Sequence, residues 1–127
     1  MRRTDRLKKV LVLQEQLKEL HKTRQAGHSA GARAAEDEAQ DLVQAFNAPD
    51  SLSGVFPELY HARVASAGAR KQQHLANAHL EAMRVAKASA RGDAVRRQVV
   101  ISRRADERAD EERDQNEALT RRAGKAS

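Results

Sequence analysis

Both prolines of this chain and all three of its aromatic side chains fall inside one segment, QAFNAPDSLSGVFPELY (44–60). Proline removes an amide donor and clashes with the preceding turn, so it ends or kinks helices. Its confinement to Pro49 and Pro57 leaves two long stretches in which nothing obliges a helix to stop. The break between them is dense in helix-stop and turn residues, Asn47-Ala48-Pro49-Asp50-Ser51. The feature predicts two helices and one bend.

Composition narrows the choice further. Of 127 residues, 33% are charged and only 2% aromatic, too few large apolar side chains to fill an ordinary globular core. Ala, Glu, Lys, Leu, Arg and Gln dominate, the usage of long helices and coiled coils rather than sheets. VLVL (10–13) and VVI (99–101) are short and sit inside helical patterns. Disorder is the competing reading of such polarity, and apolar periodicity argues against it. Without Cys there is no disulfide framework and no thiolate metal site, which is compatible with a reducing compartment. VLVL is too short for a signal sequence, and no apolar run approaches the roughly 20 residues that span a bilayer. The expectation is a soluble, cytoplasmic protein.

The first helix is expected over about residues 5–46, with Thr4 or Asp5 as its N-cap. Val10, Leu13, Leu17 and Leu20 alternate by three and four, two heptads of a coiled-coil seam. The seam is read onward through Arg24, Gly27, Gly31, Ala34 or Ala35, Ala39, Leu42 and Phe46. After a turn over 47–56, Pro57 suits the first position of a second helix, with Glu58 near the positive end of its dipole. This helix is expected to about 119, followed by a frayed tail. Its stripe reads Tyr60, Val64, Ala67, Lys71, Leu75, Ala78, Ala82, Val85, Ser89, Gly92, Val95 and Val99.

Two long helices joined by about ten residues form, most simply, an antiparallel hairpin. The fold class is therefore all-α: two unequal helices in one antiparallel coiled-coil domain spanning 1–127. With the bend centred near residue 52, partners carry numbers adding to roughly 105. Phe46 then faces Tyr60, Leu20 faces Val85, Val10 faces Val95, and apolar meets apolar throughout. Gly27, Gly31, Gly68 and Gly92 are read as places of close helix approach. The second helix overhangs the first by about 15 residues. That overhang, RRADERADEERDQNEALTRR (103–122), lacks an apolar seam and is either a solvated helix awaiting a partner or a frayed end.

The formal charge is +6, unevenly placed. Arg2, Arg3, Arg6, Lys8 and Lys9 open the chain, and Arg84, Lys87, Arg91, Arg96, Arg97, Arg103 and Arg104 lie in the second helix. Antiparallel pairing gathers them into a basic collar that either binds something acidic or is a solvated face. From Asp106 to Glu117 the chain turns mostly acidic.

Catalytic patterns are absent. Glu58 and His61 make one Glu-x-x-His pair, but a di-iron bundle needs two such pairs and two further Glu. His21, His28, His74 and His79 can approach across the seam, yet no neighbouring carboxylate pattern suggests a ligand cage. The glycines are isolated and form no phosphate-cradling loop. A non-enzyme with no cofactor and no metal is expected. Specific nucleic-acid recognition is not expected either. The collar holds no aromatic to stack bases, and the Leu heptads are too few for a basic-region zipper. Nonspecific duplex binding stays open.

The opening RTDRLKKVLVLQEQLKELHKTRQA (3–26) resembles the start of the FliJ family, general components of the flagellar type III export apparatus. Arg6, Leu7, Val10, Leu11 and Leu13 stand in that family's basic, Leu-x-x-Val-Leu-x-Leu pattern. A shorter first helix, a turn and a longer charged second helix extend the likeness loosely over the chain, which is shorter and poorer in aromatic and Gln residues than better-known members.

The resemblance implies a non-enzymatic central stalk in the ring of the export ATPase hexamer, linked to the cytoplasmic domain of the membrane export gate and to export chaperones. It implies a cytoplasmic location, peripheral to the inner membrane. The hinge end, with Leu42, Phe46, Phe56, Leu59, Tyr60 and Val64, would meet the gate. The basic collar, with Arg2, Arg3, Arg6, Arg96, Arg97, Arg103 and Arg104, would meet the ring. The hinge rings either close the tip as an apolar cluster or face outward as partner anchors. The alternative function is a basic helical protein that binds nucleic acid or an anionic membrane surface.

Overall fold

A computed structural model describes residues 2–51 and 54–126. Helix α1 spans Arg3–Asn47 and helix α2 spans Pro57–Ala126; the described residues contain no strand. The two helices pack against each other as an all-α hairpin. Among the described residues no helix is long and apolar enough to cross a membrane.

The chain divides into two compact units. The hinge unit comprises Leu17–Lys87, and the terminal unit joins Met1–Gln16 to Ala88–Ser127. In the hinge unit Phe46 meets Tyr60 and Gly31 lies under His74. In the terminal unit Thr4 bonds Ser102. Each of these pairs has numbers adding to 105 or 106, the expected register.

The bend begins as proline chemistry dictates. The Ala48 carbonyl accepts from the Ser51 amide at 3.1 Å, closing a four-residue turn with Pro49 at its second position. The expected bend centre near residue 52 lies outside the described residues. Beyond it Pro57 starts α2, and the first helical bond runs from the Tyr60 amide to the Phe56 carbonyl at 3.4 Å.

Three expectations about α1 and α2 are corrected. Helix α1 starts at Arg3, so Thr4 is not an N-cap; its side chain is buried instead, with its hydroxyl bonded to Ser102 and Asp106 at 2.6 Å. Helix α2 runs to Ala126, past the end expected near 119.

The third correction concerns the seam. On α1 the covered positions recur every seventh residue at Thr4, Leu11, Lys18, Gln25, Ala32, Ala39 and Phe46, with Leu7, Gln14, His21, His28, Ala35 and Leu42 between. The apolar stripe Val10, Leu13, Leu17, Leu20 sits one position off this heptad: Leu17 is half-buried, but Val10, Leu13 and Leu20 stay 41%, 55% and 43% exposed. On α2 the heptad runs Tyr60, Ala67, His74, Glu81, Ala88, Val95, Ser102, interleaved with Val64, Lys71, Ala78, Val85, Gly92, Val99 and Asp106. His74, Glu81 and Ala88 therefore replace the expected Leu75, Ala82 and Ser89.

The physical reason is continuity. A coiled-coil seam holds a 3.5-residue period along its length, so one well-packed segment fixes the phase of the rest. Ala32, Ala35, Ala67 and Ala88 make up most of the buried apolar residues, and such small side chains let two helix backbones close. Counting back in heptads from Ala32 reaches Gln25, Lys18 and Leu11, not Val10. Apolar residues therefore do not meet throughout.

Candidate functional site

The hinge cluster is built around Phe46. Its ring meets Tyr60 edge-on at 5.7 Å and His61 at 5.4 Å between centroids. Leu42 and Val64 are half-buried on the same seam, four residues from Phe46 and Tyr60 respectively. Edge-to-face ring packing adds to area burial, which suits Phe46 and Tyr60 to holding the helices together at the tip. Phe56 and Leu59 differ: they are 53% and 50% exposed, and Val55 beside them is exposed as well. Phe56 precedes α2, which begins at Pro57, whereas Leu59 lies within α2 one position off the seam residue Tyr60. The expected hinge set thus separates into an inward group and an outward pair. His61, which lies against Phe46, takes part in no metal cluster; no group of three His or acidic residues able to hold a metal exists among the described residues.

Further along the hinge unit, cross-helix ion pairs flank the alanine seam. Glu36 bonds Lys71 at 2.8 Å and Glu38 bonds Arg70 at 2.7 Å. The hydrogen bond and charge of Lys71 hold the Glu36 carboxyl below its ordinary range, and Arg70 does the same for Glu38. Exposed pairs of this kind add little stability but fix which faces meet.

A buried polar layer interrupts the seam. The Nδ1–H of His21 donates to Glu81 Oε2 at 2.6 Å, and Arg84 donates to Glu81 Oε1 at 2.7 Å. Glu81 is only 4% exposed. Burial pushes its pKa up, but the bonds from His21 and Arg84 outweigh burial and hold the carboxyl below the usual range. Nearby His28 and His74 lie 5.8 Å apart, and His74 Nδ1 is buried without a partner. His79 faces solvent. Sequence reasoning sought a carboxylate near the histidines and missed Glu81. Counting heptads from Tyr60 and Ala67 puts it on the seam.

The terminal unit gathers the cations. Residues 1–16 and 88–104 carry ten Lys or Arg against three Asp or Glu. Arg96 and Arg103 are seven residues apart, as are Arg97 and Arg104, so each pair projects from one face of α2. Arg96 is tied to Glu15 at 2.7 Å and to Asp93 at 2.8 Å. Arg2 reaches Asp110 at 3.5 Å and Arg3 reaches Gln98 at 3.5 Å. Arg6, Arg97, Arg103 and Arg104 are exposed and make no ion pair among the described residues. Arg84 and Lys87, counted with the collar from sequence, belong to the hinge unit, and Arg84 is committed to Glu81.

Comparison with protein-family models, curated proteins and solved structures gives no match for this chain.

Proposed function

We propose that the protein is a non-enzymatic stalk and linker of the flagellar type III export apparatus, at the cytoplasmic face of the inner membrane. The observation that carries this reading is the collar: ten cations against three acids within residues 1–16 and 88–104, with Arg6, Arg97, Arg103 and Arg104 exposed and in no ion pair among the described residues. The opening residues 3–26 and the unequal helices support it through their resemblance to the FliJ family. In this reading the collar sits in the export ATPase hexamer, where free guanidinium groups meet acidic side chains of the ring. Phe56 and Leu59, exposed beside the turn, anchor the membrane export gate, while Phe46, Tyr60, Leu42 and Val64 keep the tip closed. Export chaperones are further partners.

The test uses Arg97, Arg103 and Arg104, because none of them makes an ion pair among the described residues. The triple substitution Arg97→Glu, Arg103→Glu, Arg104→Glu should leave helicity intact and abolish stimulation of the export ATPase. Undiminished stimulation removes the collar from the mechanism. The second reading, binding to a nucleic acid or an anionic membrane, rests on the same cations. Salt-dependent binding to duplex DNA or anionic vesicles, lost in the triple variant and without any effect on the ATPase, selects it.

A further inference from the structure

Helix α1 leaves α2 uncovered at one end. Among the described residues, the bonds from α1 and the residue before it that reach furthest along α2 go to Asp106, from Thr4, and Asp110, from Arg2. From Glu111 to Lys125 every residue of α2 is exposed. The heptad face that carries Val99, Ser102 and Asp106 continues through Ala109, Arg113, Asn116 and Thr120, flanked by Glu112, Glu117 and Arg121, with Arg113 near Asp110 at 3.0 Å and Arg121 near Glu117 at 3.8 Å along the helix. Along this extension charge is sorted by position. Residues 106–117 hold seven acids and two Arg, whereas 118–125 hold Arg121, Arg122, Lys125 and no acid.

We propose that this uncovered end of α2 is a self-association site whose occupant is the same segment of a second copy, laid antiparallel about a two-fold axis near residues 117–118. Antiparallel overlap puts the acidic half of each copy beside the basic half of the other, and a two-fold axis makes the contact twice. Parallel overlap would instead stack acid on acid and base on base, which is repulsive. The face offers Ala109 and Ala123 as its apolar content, with Arg113, Asn116 and Thr120 between and Leu119 one position off it, so burial is small and the charges decide partner and direction. The pairing is accordingly weak, reversible and salt-sensitive. It does not depend on the export reading.

Sedimentation velocity of the full chain over rising concentration tests it. A monomer–dimer equilibrium is expected at about 20 mM salt, weakened about tenfold or more at about 500 mM. Two charge-swapped variants sharpen the result: Glu111→Lys with Glu112→Lys and Asp114→Lys, and Arg121→Glu with Arg122→Glu and Lys125→Glu. Each alone should stay monomeric while remaining helical, and an equimolar mixture should form heterodimers. A spin label at Ala118 should give an intermolecular distance within about 15 Å, set by helix–helix spacing. A chain that is monomeric at every concentration in low salt overturns the proposal. So does a dimer that both variants retain, or a mixture that fails to associate.

Discussion

Glu81 shows how a single seam residue can be held ionised. Its carboxylate is nearly enclosed, yet His21 and Arg84 supply two donors to its two oxygens, and that outweighs the cost of burial. Its folded pKa lies below the ordinary value of 4.5. The charged form is therefore favoured by folding, and its contribution to stability is present above the unfolded pKa and lost as pH falls through the folded one. Glu81→Gln should lower the melting temperature at pH 7. The gap between variant and parent should then shrink as pH drops below about 4.5. A gap that stays constant with pH would show that Glu81 acts through packing alone.

Gly31 and Gly27 carry opposite predictions although they share a helix. A Cβ on Gly31 would come within 2.7 Å of the His74 ring, whereas one on Gly27 would meet nothing within 4 Å. Gly31 is thus a place where α2 approaches α1 closely, and Gly27 is a helix interruption with no packing role. Gly27→Ala should raise stability by up to about 1 kcal/mol through helix propensity. Gly31→Ala should instead cost about 1–3 kcal/mol, because an enclosed imidazole must move. Urea unfolding followed by circular dichroism measures both. Gly92 is intermediate in kind: a Cβ there meets Gln14 and Glu15 at ordinary contact distance. The reading of these glycines as close approaches therefore holds for Gly31 and not for Gly27. Sequence alone could not separate them, since the difference lies in which residue of α2 stands opposite.

Across the whole chain, burial is carried by alanines and charge is carried by the ends. Burial at Ala32, Ala35, Ala67, Ala88 and Val99 contrasts with exposure of every residue from Glu111 to Lys125. Helices of such length without a packed partner are marginal in water. Amides of residues 111–125 should exchange hydrogen far faster than those around Ala35 and Ala67 in dilute protein, read by exchange mass spectrometry. Their protection should rise with protein concentration if the end of α2 pairs with a second copy. Equal protection throughout at low concentration would mean that this segment is stabilised within one chain.

The helices, their break and their antiparallel register were legible because each depends on local rules. Pro49 and Pro57 can sit only at a bend or a helix start, and a symmetric count about that bend pairs Phe46 with Tyr60. The clustering of Arg and Lys at one end follows from the same count. What tertiary structure decided was the rotation of α1 about its own axis. The strongest apolar stripe, Val10, Leu13 and Leu20, suggested one phase, while the alanines at 32 and 35 imposed another one residue away. Periodicity reports which residues are apolar, but close packing selects where backbones can approach, and that choice exists only once two helices meet. It turned Leu13 outward, brought His21 onto Glu81, and put Gly31 beneath His74.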